Sequence, residues 1–317
     1  MTSDRFLYQF SPDFVNSDPH NQRYYSIAGL VIKIESDTTI TDDSFDKKFK
    51  PFQVEGPATD MITIRHHSSL CSPVIDESWR LVYKKIPWTI YQKETSWVYL
   101  VIQEEEKELD LWTIGVFDGT HTKGTIYHRD NTQLLRGNNH SLTLYPTDQI
   151  LLARVLADRQ ACYFHAAGMI LHGQGILFVG HSGAGKSTTV SMLKGEGEIL
   201  CDDRIIVRRW PDGVKIHGTW SHGDIPDVSN SSAPLRAIFF LEKSQENAIE
   251  PIDKHAVIRM LPLYVVKPLV TADWWENILD LIHLISQEIP VYRLKLDTSG
   301  KVRELLDEFL QTDPGKQ

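Results

Sequence analysis

Cysteine is scarce in this chain. The 317 residues hold three, Cys71, Cys162 and Cys201, widely spaced and with no pair at metal-ligand or redox spacing. That argues against a disulfide framework and fits a reducing, cytoplasmic setting. Cys162 and Cys201 stand in apolar stretches and read as small buried hydrophobes. Basic charge is also in short supply. The formal net charge is −9, which counts against broad nucleic-acid or anionic-membrane binding, since both need a basic surface. No apolar run approaches the length of a membrane span. The opening "MTSDRFLYQFSPDF" has no basic start followed by an apolar stretch, so no signal peptide is expected. Internal repeats and low-complexity tracts are absent too, which sets aside solenoids and linkers.

What is present is a globular composition, 41% hydrophobic and 24% charged, in a chain long enough for two domains. The first half is β-rich. "YYSIAGLVIKIES", "MITIRHH", "WRLVYKK", "TSWVYLVIQ" and "LDLWTIGVFDG" are β-branched and aromatic runs separated by polar or glycine-bearing turns. The acidic run Glu104–Glu108 reads as a solvated hairpin tip. "YPTDQILLARVLADRQ" then reads as a helix, with Thr147 as N-cap and Asp148 in its first turn. The boundary falls at this helix, giving a β-rich domain over residues 1–150 and a second domain over 151–317. In the second half, "HGQG" between two apolar runs predicts a hairpin. Trp274, Ile278, Leu281, Ile282 and Ile285 share one face of a helix that ends before Pro290. "SGKVRELLDEFLQ" is an amphipathic terminal helix.

The stretch "GILFVGHSGAGKSTTV" carries the chemistry. Gly180-His181-Ser182-Gly183-Ala184-Gly185-Lys186-Ser187 fits G-x-x-x-x-G-K-[ST], and Thr188 follows. The glycines let backbone N–H groups turn inward on phosphate oxygens. Lys186 places a compact cation on the β- and γ-phosphates, and Ser187 offers a hydroxyl to Mg²⁺. An apolar strand leads in and helix formers lead out, as a phosphate loop requires. His181 occupies a variable position and reads as a rim residue.

Asp202 and Asp203 follow 16 and 17 residues after Lys186, at the end of a short strand. Adjacent aspartates are common in loops, but here the position is that of the metal-binding strand beside a phosphate loop. One carboxylate would serve the metal and the other would face an acceptor hydroxyl. Among the 13 histidines, His66–His67 and the pair His217 and His222 lack zinc-site spacing. His165, before two alanines and a glycine, reads by itself as a structural histidine at a strand end.

Together, "HAAGMILHGQGILFVGHSGAGKSTTV" and "GEILCDDRIIV" resemble the kinase core of HPr kinase/phosphorylase, whose fold is shared with bacterial phosphoenolpyruvate carboxykinases. The resemblance covers residues 160–245 well and the rest of the second half loosely. It implies an α/β (α+β) chain, with a β-rich N-terminal domain before a P-loop kinase core with C-terminal helices. It also implies that His165 lies beside the acceptor and Lys186 holds phosphate. Ser187 and Asp202 would serve magnesium, and Asp203 would accept the acceptor's proton. The first half looks like the front half of uncharacterised HPr-kinase-related proteins, some encoded with peptide-modifying enzymes, including kinases of lasso-peptide precursors.

Two departures stand out. Lys215-Ile216-His217-Gly218 replaces a segment that in the family begins with a magnesium-binding glutamate. The family's catalytic arginine has only Arg236 and Arg259 as candidates. Both count against the phosphorylase reaction and against HPr as acceptor; neither touches the nucleotide site. "GTWSHGD" (218–224) reads as a flexible loop over the site, with Trp220 equally a lid or a hydrophobic anchor.

The expected function is therefore phosphoryl transfer from ATP, or another nucleoside triphosphate, with Mg²⁺. The acceptor is a hydroxyl, either a serine of a peptide or protein or a small-molecule alcohol. A non-catalytic nucleotide switch or ATPase is the competing class. Carboxykinase chemistry ranks last, for want of further arginines and histidines. Because HPr kinases assemble into oligomers, a homo-oligomer is expected.

Overall fold

The computed structural model describes residues 21–70, 75–105, 108–145, 148–267 and 271–311. It is a strand-rich mixed α/β structure that divides into two units, Met1–Leu151 and Leu152–Gln317. Cys71 and the Thr147 N-cap lie outside the described residues.

The first unit holds β1 (Gln22–Ile27), β2 (Leu30–Ser36), β3 (Gln53–Val54), β4 (Met61–His67), β5 (Arg80–Lys85), β6 (Trp88–Lys93), β7 (Ser96–Glu105), β8 (Glu108–Phe117) and β9 (Lys123–His128), then the short helix α1 (Thr132–Arg136). The strands form one sheet in the order β3-β1-β2-β4-β9-β8-β7-β6-β5. Pairing is antiparallel except at β2–β4 and β4–β9. The run "YYSIAGLVIKIES", continuous in the sequence, folds back on itself. Ala28 and Gly29 both take positive φ (50° and 79°) and make the tight turn between β1 and β2. An Ala-Gly pair is a weak turn signal, so the sequence reads as unbroken there.

His66, His121 and His128 are buried in this unit, and the first and last of them meet. His66 Nδ1 and His128 Nε2 lie 2.9 Å apart, and His66 Nε2 is 2.9 Å from the Leu142 carbonyl. With Nε2–H of His66 donating to that carbonyl, its Nδ1 accepts from His128, so both rings are neutral. Burial pushes both pKa values down, His128 to about 4. His217 is likewise a structural residue, accepting from Trp210 Nε1 at 3.0 Å. Among the described residues no group of three or more His, Cys, Asp or Glu side chains could hold a metal.

Helix α2 (Gln149–Ala157) leads into the second unit. Asp148 stands just before it, and its carboxylate accepts from the Leu142 and Thr143 amides and the Ser141 and Thr143 hydroxyls. The elements that follow are β10 (Ala161–Leu171), β11 (Gln174–Val179), α3 (Lys186–Met192), β12 (Glu198–Cys201), β13 (Arg204–Trp210), β14 (Gly213–His217), β15 (Ser232–Lys243) and β16 (Ala248–Pro251). The chain ends in α4 (Lys254–Met260), α5 (Ala272–Glu288), β17 (Val291–Leu296) and α6 (Val302–Gln311). The sheet runs β11-β10-β13-β14-β15-β17-β16, and β15 also pairs in parallel with β11, so part of it closes on itself.

Strand alternation sends neighbours to opposite faces. Ile176 and Phe178 of β11 pack with α3 and α6, whereas Leu177 and Val179 pack with α5. Both faces are covered, which explains the continuous apolar run before the glycine turn. On α5 the face predicted from spacing is the buried one, and Trp274 Nε1 donates to the Ala153 carbonyl at 2.9 Å. Cys162 and Cys201 are buried thiols whose pKa values burial raises, so neither is poised to react. Among the described residues no helix is long and apolar enough to cross a membrane.

A histidine whose folded pKa is depressed binds its proton more readily when unfolded. Its contribution to stability is therefore full above the ordinary histidine value and is lost as pH falls toward the folded value. Acidification should destabilise the first unit between pH 6.5 and about 4, with His128 alone costing about 3 kcal/mol by the lower limit. Near-UV circular dichroism against pH should show this loss, and His66→Gln/His128→Gln should flatten it.

Candidate active site

Strand β10 sets the frame. Along one edge it pairs with β11. Along the other it pairs with two strands in series, β12 near Gly168 and β13 from His165 back to Ala161. The chain passes from β12 to β13 through Asp202 and Asp203 alone. The Ala166 N–H donates to the Asp203 carbonyl at 3.1 Å, keeping the ladder in register across the break. Both carboxylates are thus released from regular pleating at one point, beside His165.

Asp202 turns inward and is 1% exposed. Burying a carboxylate costs several kcal/mol unless donors meet it. Three do: Ser187 Oγ at 2.9 Å, the Gly223 N–H at 2.7 Å and the Ile225 N–H at 3.1 Å. Each such charged hydrogen bond is worth about 1.5–3 kcal/mol, enough to offset that cost. Ser187 is the second residue of α3, so this contact joins the helix after the glycine turn to the β12–β13 break.

Asp203 turns the other way. Its Oδ1 lies 3.1 Å from His165 Nε2 and its Oδ2 2.7 Å from Arg204 Nη1. Burial pushes this carboxyl up. The His165 hydrogen bond and the charges of Arg204, His165 and Lys186 outweigh it and hold the group below the usual carboxylate range. His165 and Arg204 are direct cross-strand partners and so sit on the same side of the ladder.

The glycine turn lies between β11 and α3. Gly183 and Gly185 take φ of +77° and +107°, and nothing stands within 4 Å of where a side chain would begin at either. Lys186, 7% exposed, donates to the Gly180 carbonyl at 3.0 Å and the His181 carbonyl at 3.3 Å. Burial holds its ammonium below the ordinary lysine value, against the pull of Asp203 and Asp202. His181 is a rim residue packed beside Tyr264, whose hydroxyl is 3.1 Å from its Nε2.

Of the residues singled out from the sequence, His165, Lys186, Ser187, Asp202 and Asp203 form one connected cluster. Lys215 does not belong to it. It pairs with Arg208 on the ladder, four residues along β13 from Arg204 and so about 13 Å away, and its ammonium meets Asp212 at 2.7 Å. The position level with Arg204 is taken by Thr219, whose hydroxyl donates to the Arg204 carbonyl at 2.6 Å. Arg236 lies elsewhere as well, its guanidinium over the Phe309 ring of α6. Arg259 is exposed at the end of α4. The arginine at the site is Arg204, and its only sequence signal is that it directly follows the aspartates. Trp220 is 1% exposed and anchors its loop in the core, which settles it against a lid. Tyr163, donating to Ser221 Oγ at 2.8 Å, ties that loop to β10.

Hydroxyl and carboxylate oxygens are the hard donors that magnesium prefers, and it keeps waters and phosphate oxygens in its remaining positions. Ser187 Oγ and Asp202 Oδ2 fit that part without a third protein ligand. The model of the family described as SynChlorMet cassette protein ScmC matches residues 147–311, just over half of the 317 residues.

The chain belongs to the ScmC family.

Every residue of the cluster falls inside the ScmC match, while most of the first unit lies outside it. Among solved structures, the Hpr(Ser) kinase/phosphatase from Coxiella burnetii is similar at 11% identity and a TM-score of 0.29, covering 47% of this chain and 88% of that one. No curated protein matches.

Asp203 ionises more readily folded than unfolded, so its contribution is present above the ordinary carboxylate range and lost as pH falls through it. Asp203→Asn should therefore destabilise the ScmC-family chain in urea at pH 7, by an amount that shrinks below about pH 4. Gly218 is fixed by space: a Cβ there would lie 1.9 Å from the Ser229 carbonyl oxygen. Gly218→Ala should cost about 1–3 kcal/mol, read as a lower urea midpoint at unchanged slope.

Proposed function

We propose that this ScmC-family chain is a Mg²⁺-dependent kinase that transfers the γ-phosphate of ATP to a hydroxyl of a peptide or protein, a serine in particular. One observation carries the reading: an ionised aspartate, held by His165 at 3.1 Å, shares its electrostatic environment with the phosphate-loop lysine. A nucleotide switch needs the loop and one metal ligand. It has no use for a second carboxylate oriented by a histidine.

In this reading amides of the glycine turn and the Lys186 ammonium hold the β- and γ-phosphates. Ser187 and Asp202 would hold magnesium, which when bound would neutralise charge on the phosphate oxygens. Asp203 accepts the acceptor's hydroxyl proton as its oxygen bonds to the γ-phosphorus. The bond from that phosphorus to the bridging oxygen breaks, and the nucleoside diphosphate leaves. His165 and Arg204 fix the Asp203 carboxylate and offset its charge. The resemblance of the loop and aspartate motifs to HPr kinases supports the same assignment. The family's description as a cassette protein favours a polypeptide encoded alongside it as acceptor.

Incubation with γ-labelled ATP, Mg²⁺ and polypeptides encoded beside the chain tests this. Label should move to a serine, and Asp203→Asn should slow the transfer by about a hundredfold or more. Label released only as free phosphate would place the chain among ATPases and end the proposal.

A further inference from the structure

The sheet of the first unit ends at β5, which pairs only with β6 among the described strands. Its sequence, Arg-Leu-Val-Tyr-Lys-Lys, carries three cations and no anion in a chain of net charge −9. Arg80 donates to the neutral Gln92 at 2.5 Å, and no described carboxylate forms an ion pair with Arg80, Lys84 or Lys85. The nearest acids in the chain are Asp76 and Glu77; Asp76 is engaged by Ser78. Beside these cations the edge exposes large apolar side chains: Leu81 at 50%, Tyr83 at 37% and Ile86, just past its end, at 57%. Only three other large hydrophobics among the described residues are as exposed, and they are scattered along the chain.

An edge strand presents unpaired N–H and C=O groups that a further strand can bond. Lysines on an edge commonly block self-pairing, and they do so here: an antiparallel pair of two β5 strands would set cation against cation. A purely protective edge, however, would not also expose Leu81, Tyr83 and Ile86. Apolar surface flanked by unneutralised cations complements an extended segment that is both acidic and apolar. We infer that β5 docks such an acidic segment of the polypeptide acceptor as an added strand. Main-chain hydrogen bonds would supply affinity, and Arg80, Lys84 and Lys85 would select for acid. The inference rests on the reading of the chain as a kinase of a polypeptide.

Random twelve-residue peptides displayed against the full chain, without nucleotide, test it. Enriched sequences should be acidic with interleaved apolar residues. By fluorescence anisotropy the best of them should bind at least tenfold more weakly to Lys84→Glu/Lys85→Glu. They should also lose binding when alternate amides are N-methylated, and weaken as salt rises. Failure to enrich peptides, enrichment without acidic bias, or equal binding to the charge-reversed variant would overturn the assignment. So would a wild-type dimer that this variant dissociates, since the edge would then serve a second copy. Both lysines are exposed, and an unchanged near-UV spectrum establishes that the variant is folded. Binding is read without ATP, so Lys186→Ala should leave it intact. Acidic peptides that bind but never acquire phosphate would defeat the kinase reading and leave the docking strand standing.

Discussion

The second unit depends on a break in a ladder. Strand β10 is long enough to pair with two partners end to end, and the chain between those partners is two residues long. Neither Asp202 nor Asp203 belongs to a strand, yet the hydrogen bond from Ala166 to the Asp203 carbonyl holds them against β10. The side chains therefore diverge from one fixed point. One enters the protein toward α3, and the other faces His165. Because β11 lies on the opposite edge of the same strand, the glycine turn at its end is carried to the same place.

The energetics of that point are finely balanced. A buried carboxylate and a buried ammonium each cost several kcal/mol before compensation. Asp202 is compensated by a hydroxyl and two loop amides, and Lys186 by two carbonyls of its own turn. These partners belong to the glycine turn, α3 and the segment after Trp220, so those segments are held together by charge rather than by apolar packing alone. In the proposed reading, an anionic ligand and a cation would re-engage these polar groups.

Much of this was legible in the sequence. The glycine turn, Lys186 and Ser187 stand out because the G-x-x-x-x-G-K-[ST] pattern fixes residue types at particular offsets. The buried face of α5 was legible because a helix repeats every 3.6 residues. The turn at Ala28-Gly29 was not, since its positive φ values arise in a pair of residues with no strong turn preference. Nor was the exclusion of Lys215. Motif alignment put it where a carboxylate belongs, but the ladder sets Thr219, not Lys215, level with the start of β13. Arg204 escaped notice because a basic residue at the start of a strand is ordinary; only its ion pair with Asp203 distinguishes it.

By itself, then, the sequence determined the local chemistry: a glycine-rich turn, a lysine and a hydroxyl beside it, two carboxylates in tandem, and apolar periods that place the strands and helices around them. These follow from residue type and short spacing. Only the tertiary structure decided which distant groups meet: His165 with Asp203, Ser187 with Asp202, Trp220 with the core, and cations with apolar side chains on the last described strand of the first sheet. Those meetings depend on strand order and register, which couple residues far apart in the chain and leave no period for a sequence to display.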